Sequence, residues 1–224
     1  EKILGDVLKI VVLTNKTSKN FNPILMKKSK TFYHIILDQS GSMSDCINQT
    51  LSGLANQRKE ILALANEFPE QEIRVGLTVF DENVNIKYRN LSVTELSKMD
   101  GFNYYPNGST ALLDAIGISV ADTERLMGSE DSAVMIILTD GYENASREYS
   151  HDKIKNLIQA KEATGKWSFT YLGATLDAVE IARSMNIKEE NSFAFEKKNM
   201  NKDAFGRSTM ALKSILEIFK NEED

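Results

Sequence analysis

The chain has 224 residues and a mass of 25.1 kDa, and 42% of its residues are hydrophobic, which suits one domain with a substantial core. Its formal charge of -5 and pI near 5.3 supply no positive field to hold a phosphate backbone, so nucleic acid is excluded as an expected partner. A single cysteine, Cys46, excludes an internal disulfide and a Cys-rich zinc framework, and the two histidines, His34 and His151, lack the spaced partners of a catalytic or zinc pair.

Residues 1–30 carry an excess of lysine and one short apolar run, 7–13, rich in β-branched residues. That run reads as an edge strand or an arm packed on the domain, with a membrane-surface or partner-binding tail as the alternative. The division is therefore an N-terminal arm or extra strand, 1–30, and a domain, 31–224. Residues 30–37 read as a buried strand, because apolar side chains run on without alternation, as in central parallel strands. This strand delivers Asp38.

Leu51, Leu54, Ile61, Leu62, Ala65 and Phe68 follow helical spacing, and Pro69 closes that helix. Residues 73–80 form the next strand, and Asp81-Glu82-Asn83 turns it into 84–88 as an antiparallel hairpin at one sheet edge. Ser92 and Glu95 have capping-box spacing, which predicts a short helix before the aromatic segment 102–106. This segment either packs beneath the following loop or forms an exposed rim that grips a partner, and Tyr104 and Tyr105 cannot both point inward if it is extended.

Residues 111–127 are helical by the spacing of Leu112, Leu113, Ile116 and Val120. Asp114, one turn after Thr110, either orients a site through hydrogen bonds or is a helix-surface acid. A second buried strand, 133–139, delivers Asp140, with Tyr142, Glu143 and Asn144 expected near the rim. Ser150 caps a helix reaching residue 164, and Ser150, His151 and Asp152, being adjacent, cannot hold the hydrogen-bond chain of a triad. A strand at 167–173, a helix at 175–185, a short strand at 192–195 and a docking helix at 202–220, with Phe205, Leu212, Ile215, Leu216 and Phe219 on its apolar face, complete the chain. Strands alternating with helices predict an α/β fold: a three-layer, doubly wound, mostly parallel sheet with one antiparallel edge strand.

Three loops carry the chemistry. Asp38, Ser40 and Ser42 alternate as the chain leaves its strand, so a carboxylate and two hydroxyls turn toward one point, with Gly41 allowing a tight bend. Thr110 adds a third hydroxyl and Asp140 a second carboxylate, each from the loop of another element. Few charges and several hydroxyls favour Mg2+ or Mn2+ over a full Ca2+ cage, with Ca2+ left open. If the aspartates hold waters, the direct ligands are neutral, the ion stays electrophilic, and an acidic group from outside is the natural last ligand.

The pattern Asp38-x-Ser40-x-Ser42, Thr110, Asp140 resembles, residue by residue, the metal-ion-dependent adhesion site of von Willebrand factor A (vWA) domains, including the integrin inserted domains. The stretches around Gly108 to Asp114, Thr139 to Tyr149 and Tyr171 to Glu180 are similar to a group of intracellular bacterial vWA proteins, so the resemblance spans roughly residues 31–220. Ser109 stands where many relatives have Gly, which changes little because Thr110 supplies the ligand. The resemblance implies a Rossmann-like strand order 3-2-1-4-5-6 with strand 3 antiparallel, and a Thr110 able to move between direct and water-mediated ligation as the C-terminal helix shifts.

The expected function is a metal-dependent protein-protein interaction module in which an Asp or Glu of an unidentified partner completes the coordination of Mg2+ or Mn2+. One alternative makes the ion structural and puts the partner surface on the arm or the aromatic segment. The other is a metal-dependent hydrolase or phosphatase using Asp38. Ser40 stands where the phosphatase signature has its second Asp, no Walker loop or nucleophile elbow is present, and Glu143 is the one candidate base, so no enzyme is expected.

Two glycosylation-type triplets, Asn107-Gly108-Ser109 and Asn144-Ala145-Ser146, lie in or beside the proposed metal loops, where a glycan would block the site. With the lone cysteine and no apolar run near the roughly 20 residues of a membrane span, this points to the cytoplasm. The chain begins at Glu1 rather than Met, which leaves N-terminal processing open.

Overall fold

A computed structural model describes residues 28–221, so the apolar run at 7–13 and most of the expected arm lie outside the described residues. In chain order the elements are β1 (Lys30–Asp38), a 3-10 helix (Gly41–Cys46), α1 (Ile47–Glu67), β2 (Glu72–Phe80) and β3 (Val84–Ser92), then a second 3-10 helix (Val93–Met99). They continue with α2 (Leu112–Leu126), β4 (Ser132–Thr139), α3 (His151–Glu162), β5 (Trp167–Gly173) and α4 (Ala178–Ser184). Two short 3-10 turns, Glu189–Asn191 and Lys197–Asn199, bracket β6 (Ser192–Ala194), and α5 (Met200–Asn221) follows.

The six strands form one sheet of order β3-β2-β1-β4-β5-β6. All pairings are parallel except β2 with β3, as the alternating pattern and the hairpin turn predict. Strands β1 and β4 are central, and from Phe32 and Ser132 onward every residue is buried, so both faces must be covered. Period-two alternation then divides the core. Tyr33, Ile35 and Leu37 face Leu54, Ile61 and Leu64 of α1 and Phe205, Leu212 and Leu216 of α5. Phe32 and Ile36 face Ile116 and Val120 of α2, Ile154 and Ile158 of α3, and Ala178 and Ala182 of α4. Each Leu, Ile, Val or Phe side chain fully buried here contributes about 2 kcal/mol.

Some boundaries shift. The helix expected over 175–185 is only Ala178–Ser184, because the chain first turns at Thr175, whose carbonyl accepts from Ala178 N–H at 3.3 Å. The short helix after Ser92 is a 3-10 helix, with the Glu95 carboxylate accepting from Ser92 N–H at 3.1 Å. The side chain of Phe219, expected on the docking face of α5, lies outside the described residues. Among the described residues no helix is long and apolar enough to cross a membrane.

His34 is buried on the α2 side of β1, its Nε2 2.8 Å from Thr78 Oγ1 and its Nδ1 3.3 Å from Thr123 Oγ1. Burial pushes the imidazole down from 6.5 to about 4, against the opposing pull of Asp122. The fold refuses a proton that the unfolded chain accepts, so this contribution to stability is complete above pH 6.5 and is lost as pH falls toward about 4. The loss is about 3 kcal/mol. In denaturant unfolding, the stability difference between native protein and His34→Gln should shrink by that amount from neutral pH to about pH 4, the other titrating groups cancelling. A difference that does not change with pH would contradict this account.

Candidate functional site

Strands β1 and β4 are parallel neighbours, with Leu37 opposite Leu138, so Asp38 at the end of one and Asp140 just past the end of the other arrive together. Two carboxylates are thereby forced close, and both are buried. Asp38 Oδ1 accepts from Ser40 N–H at 2.7 Å and Oδ2 from the Thr139 hydroxyl at 2.5 Å. Burial pushes the Asp38 carboxyl up from 3.8 to about 6, the hydrogen bonds from Thr139 and Ser40 oppose that, and the charge of Asp140 adds to it. A cation at this point would restore the ionised form.

The hydroxyls complete the cluster. Ser40 Oγ lies 3.0 Å from Ser42 Oγ, and the Ser42 hydroxyl donates to Asp140 Oδ1 at 2.5 Å. Thr110 joins across Gly141: a Cβ on that glycine would stand 3.0 Å from Thr110 Oγ1, 3.5 Å from Ser42 Oγ and 3.6 Å from Asp38 Oδ2. Three oxygens from two loops thus border one point beside Gly141, and a Cβ there would press on Thr110 Oγ1. Asp38, Ser40, Thr110 and Asp140 are buried while Ser42 is exposed, so the cluster opens to solvent at Ser42.

Backbone hydrogen bonds set the loops against one another. Gly41 N–H donates to Gly108 O at 3.1 Å and Asn107 N–H to Gln39 O at 2.9 Å. The tight bend expected at Gly41 is taken up by the 3-10 helix Gly41–Cys46, and it is Gly108, at φ 72°, that adopts the left-handed conformation. Glu82, read from sequence as a turn residue, also accepts from Ser109 N–H at 3.1 Å. Beneath the loop the Tyr104 hydroxyl donates to the Asp38 carbonyl, while Tyr105 is 71% exposed. Tyr104 therefore packs under the loop, and Tyr105 faces solvent.

The other three candidate residues bind backbone. Asn144 Oδ1 accepts from Thr110 N–H at 2.9 Å and so positions that threonine. Glu143 Oε2 accepts from Leu113 N–H at 2.9 Å and from the Ser146 hydroxyl at 2.7 Å, and Oε1 from the N–H groups of Ala145 and Ser146 at 2.9 and 2.8 Å. Both of its oxygens are committed to the N-terminus of α2 and the loop after β4, where a carboxylate also meets the positive end of the helix. Asp114 is buried and is not a helix-surface acid. It accepts from Arg147, Glu148 and Tyr149 N–H at 2.8, 2.9 and 2.8 Å, which ties residues 147–149 to α2.

Two participants have no signal in the sequence. Lys197, from the turn before α5, places its ammonium 2.6 Å from Asp140 Oδ2, 2.7 Å from Ser42 O and 2.7 Å from Asp45 Oδ1. Burial opposes its charge, but the contacts with Asp140 and Asp45 prevail and raise its pKa. Asp45 is the second, an exposed acid on the same ammonium. No spacing connects positions 140 and 197, and only the sheet topology brings them together. The set as a whole, two carboxylates and three hydroxyls with no nitrogen or sulfur ligand, fits a hard divalent cation.

The family model for the von Willebrand factor type A domain matches residues 34–207. Among solved structures, one described as von Willebrand factor type A from Catenulispora acidiphila is similar at TM-score 0.58 and 16% identity, over 84% of this chain and 43% of that one. Proximal thread matrix protein 1 from the mussel byssus, with a zinc-occupied metal-ion-dependent adhesion site, is similar at TM-score 0.58 and 14% identity, over 86% of this chain and 46% of that one. BatB from Bacteroides thetaiotaomicron, described as a conserved hypothetical protein, is similar at TM-score 0.58 and 13% identity, over 84% of this chain and 99% of that one. The chain thus spans less than half the length of the first two, and identities this low bear on the fold alone. No curated protein matches the sequence.

Replacing Asp114 with Ala leaves three backbone N–H groups without their acceptor and should cost about 3 kcal/mol in urea unfolding. Amide exchange at residues 147–149 should rise in parallel. A cost below about 1 kcal/mol would show that this carboxylate does not hold the loop.

Proposed function

The chain belongs to the von Willebrand factor type A domain family, and from that premise we propose that it is a metal-dependent protein-interaction module rather than an enzyme. Asp38, Ser40, Ser42, Thr110 and Asp140 form its metal-ion-dependent adhesion site, for Mg2+ or Mn2+, and a carboxylate of a partner protein is the outside ligand. Domains of this family commonly mediate metal-dependent protein interactions. The observation that carries the reading is the convergence of Thr110 Oγ1, Ser42 Oγ and Asp38 Oδ2 at Gly141.

The bound ion would supply an electrophilic centre with a coordination position open to a carboxylate. This chain's own residues do the rest. Thr139 and Ser40 N–H hold the Asp38 carboxylate in one orientation, and Asn144 fixes the backbone of Thr110. Exposure of Ser42 leaves the approach open on that side. Tyr105, Tyr142 and Leu176 are 71%, 58% and fully exposed on loops at the same edge of the sheet, and they offer apolar contacts to the partner around its acidic residue. The commitment of both Glu143 oxygens to hydrogen bonds supports a binding role over catalysis, because it leaves the cluster without its candidate base.

The reading confines the module to residues 31–224 and leaves 1–30 as an arm. Cytoplasmic placement is supported by the lone, buried Cys46 and by the triplets Asn107 to Ser109 and Asn144 to Ser146. The resemblance to intracellular vWA proteins carries the placement to a bacterial cell.

Mn2+ titration followed by electron paramagnetic resonance tests the site. The double variant Ser40→Ala, Ser42→Ala should bind about 100-fold more weakly, and Gly141→Ala about tenfold more weakly, with the fold retained by circular dichroism. Water-proton relaxation of the Mn2+-loaded native domain tests the use: exchangeable first-sphere water is expected, as is partner capture that EDTA abolishes. A loaded ion with no exchangeable water, or equal capture in EDTA, would make the ion structural and move the partner surface elsewhere.

A further inference from the structure

We propose that Lys197 is a tethered counter-cation of the oxygen cluster, one that competes with the divalent ion for Asp140 and so sets how tightly the site loads. The inference rests on the metal-site reading above and adds to it a residue of this chain that opposes loading.

Three observations carry it. All three partners of the ammonium, Asp140 Oδ2, Ser42 O and Asp45 Oδ1, are oxygens of the loops that build the cluster. The Asp140 side chain is fully buried, and among the described residues its Oδ2 has no hydrogen-bonding partner besides this ammonium, whereas Oδ1 is held by Ser42. Lys197 therefore answers the one carboxylate oxygen of the cluster that the surrounding protein leaves uncompensated. The neighbouring Lys198 pairs instead with Glu196 at 2.8 Å.

A divalent ion among Ser40, Ser42 and Thr110 sits beside the same Asp140 carboxylate. It gains less from that carboxylate while an ammonium neutralises it, and it is also repelled by the ammonium itself. Met200, three residues on, is buried with Thr50 Oγ1 3.3 Å from its sulfur, which anchors the chain, whereas the Lys197 side chain is 29% exposed and so has a route to solvent. Lys197 thus supplies one internal positive charge against the Asp140 carboxylate.

The test is Mn2+ titration of the full chain in three forms: native, Lys197→Met and Lys197→Arg. Lys197→Met should bind about tenfold more tightly or better, and Lys197→Arg, which keeps the charge, should stay within about threefold of native. In EDTA the unfolding midpoint of Lys197→Met should fall, because Asp140 is left buried without a cation. Unchanged or weaker Mn2+ binding by Lys197→Met, or no fall of its midpoint in EDTA, would overturn the proposal and make Lys197 either a bystander or a support of the carboxylate. If the Met variant does not fold, Lys197→Gln carries the same expectation. Native protein that binds Mn2+ while Lys197→Met binds no better defeats this inference alone, whereas absence of Mn2+ binding by every form defeats the metal site with it.

Discussion

Two carboxylates are brought to the ends of adjacent central strands, and the rest of the site follows from that cost. Parallel strands about 4.8 Å apart deliver Asp38 and Asp140 side by side, in a crevice where α1 and α2 leave toward opposite faces of the sheet. Burial, and the nearby charge of Asp140 with it, opposes the charged form of Asp38 and pushes its carboxyl up. The chain responds with hydroxyls and N–H groups around Asp38 and with an ammonium on Asp140. An arrangement that gathers this much negative charge behind neutral hydroxyls is suited to holding a positive ion.

A different group of acids holds the loops in place. Glu143, Asp114 and the amide of Asn144 spend their oxygens on backbone N–H groups, and Glu82 does the same for Ser109. The hydrogen bonds accepted by the three carboxylates are charge-assisted and stronger than neutral ones. Together these groups fix the loops around Thr110 and residues 145–149. Acids next to a candidate metal site thus need not be ligands or bases, and here hydrogen-bond accounting separates the two uses. Tyr105, Tyr142 and Leu176 are exposed at this edge, with the Tyr142 hydroxyl donating to Asp177 Oδ1 at 3.1 Å.

Much of the fold was readable because its signals are local. Largely apolar runs without alternation at 32–37 and 133–138 mark strands covered on both faces, and they proved to be the two central ones. The strand at 167–173 and the hairpin turn at Asp81 to Asn83 were equally legible, as were the helices after Ser42 and Thr110. Less was readable where neighbours decide the outcome. The start of α4 was misplaced because apolar spacing does not distinguish a turn from a first helical turn, and sequence left open which of Tyr104 and Tyr105 faces inward until the Asp38 carbonyl accepted the first. Asp114 could be read as either a surface acid or an organiser, since its partners lie more than 30 residues away.

By itself, the sequence determined the alternation of strands and helices and the identity of the oxygen-bearing residues, because hydrophobic period and short motifs are properties of neighbouring positions. Tertiary structure alone decided how the loops are held and what charge stands opposite Asp140. Lys197 shares no pattern with residue 140, and the two meet only because β5, α4 and β6 return the chain to the edge of the sheet where β4 ends. Electrostatic pairing depends on distance in space and leaves no periodic trace along the chain.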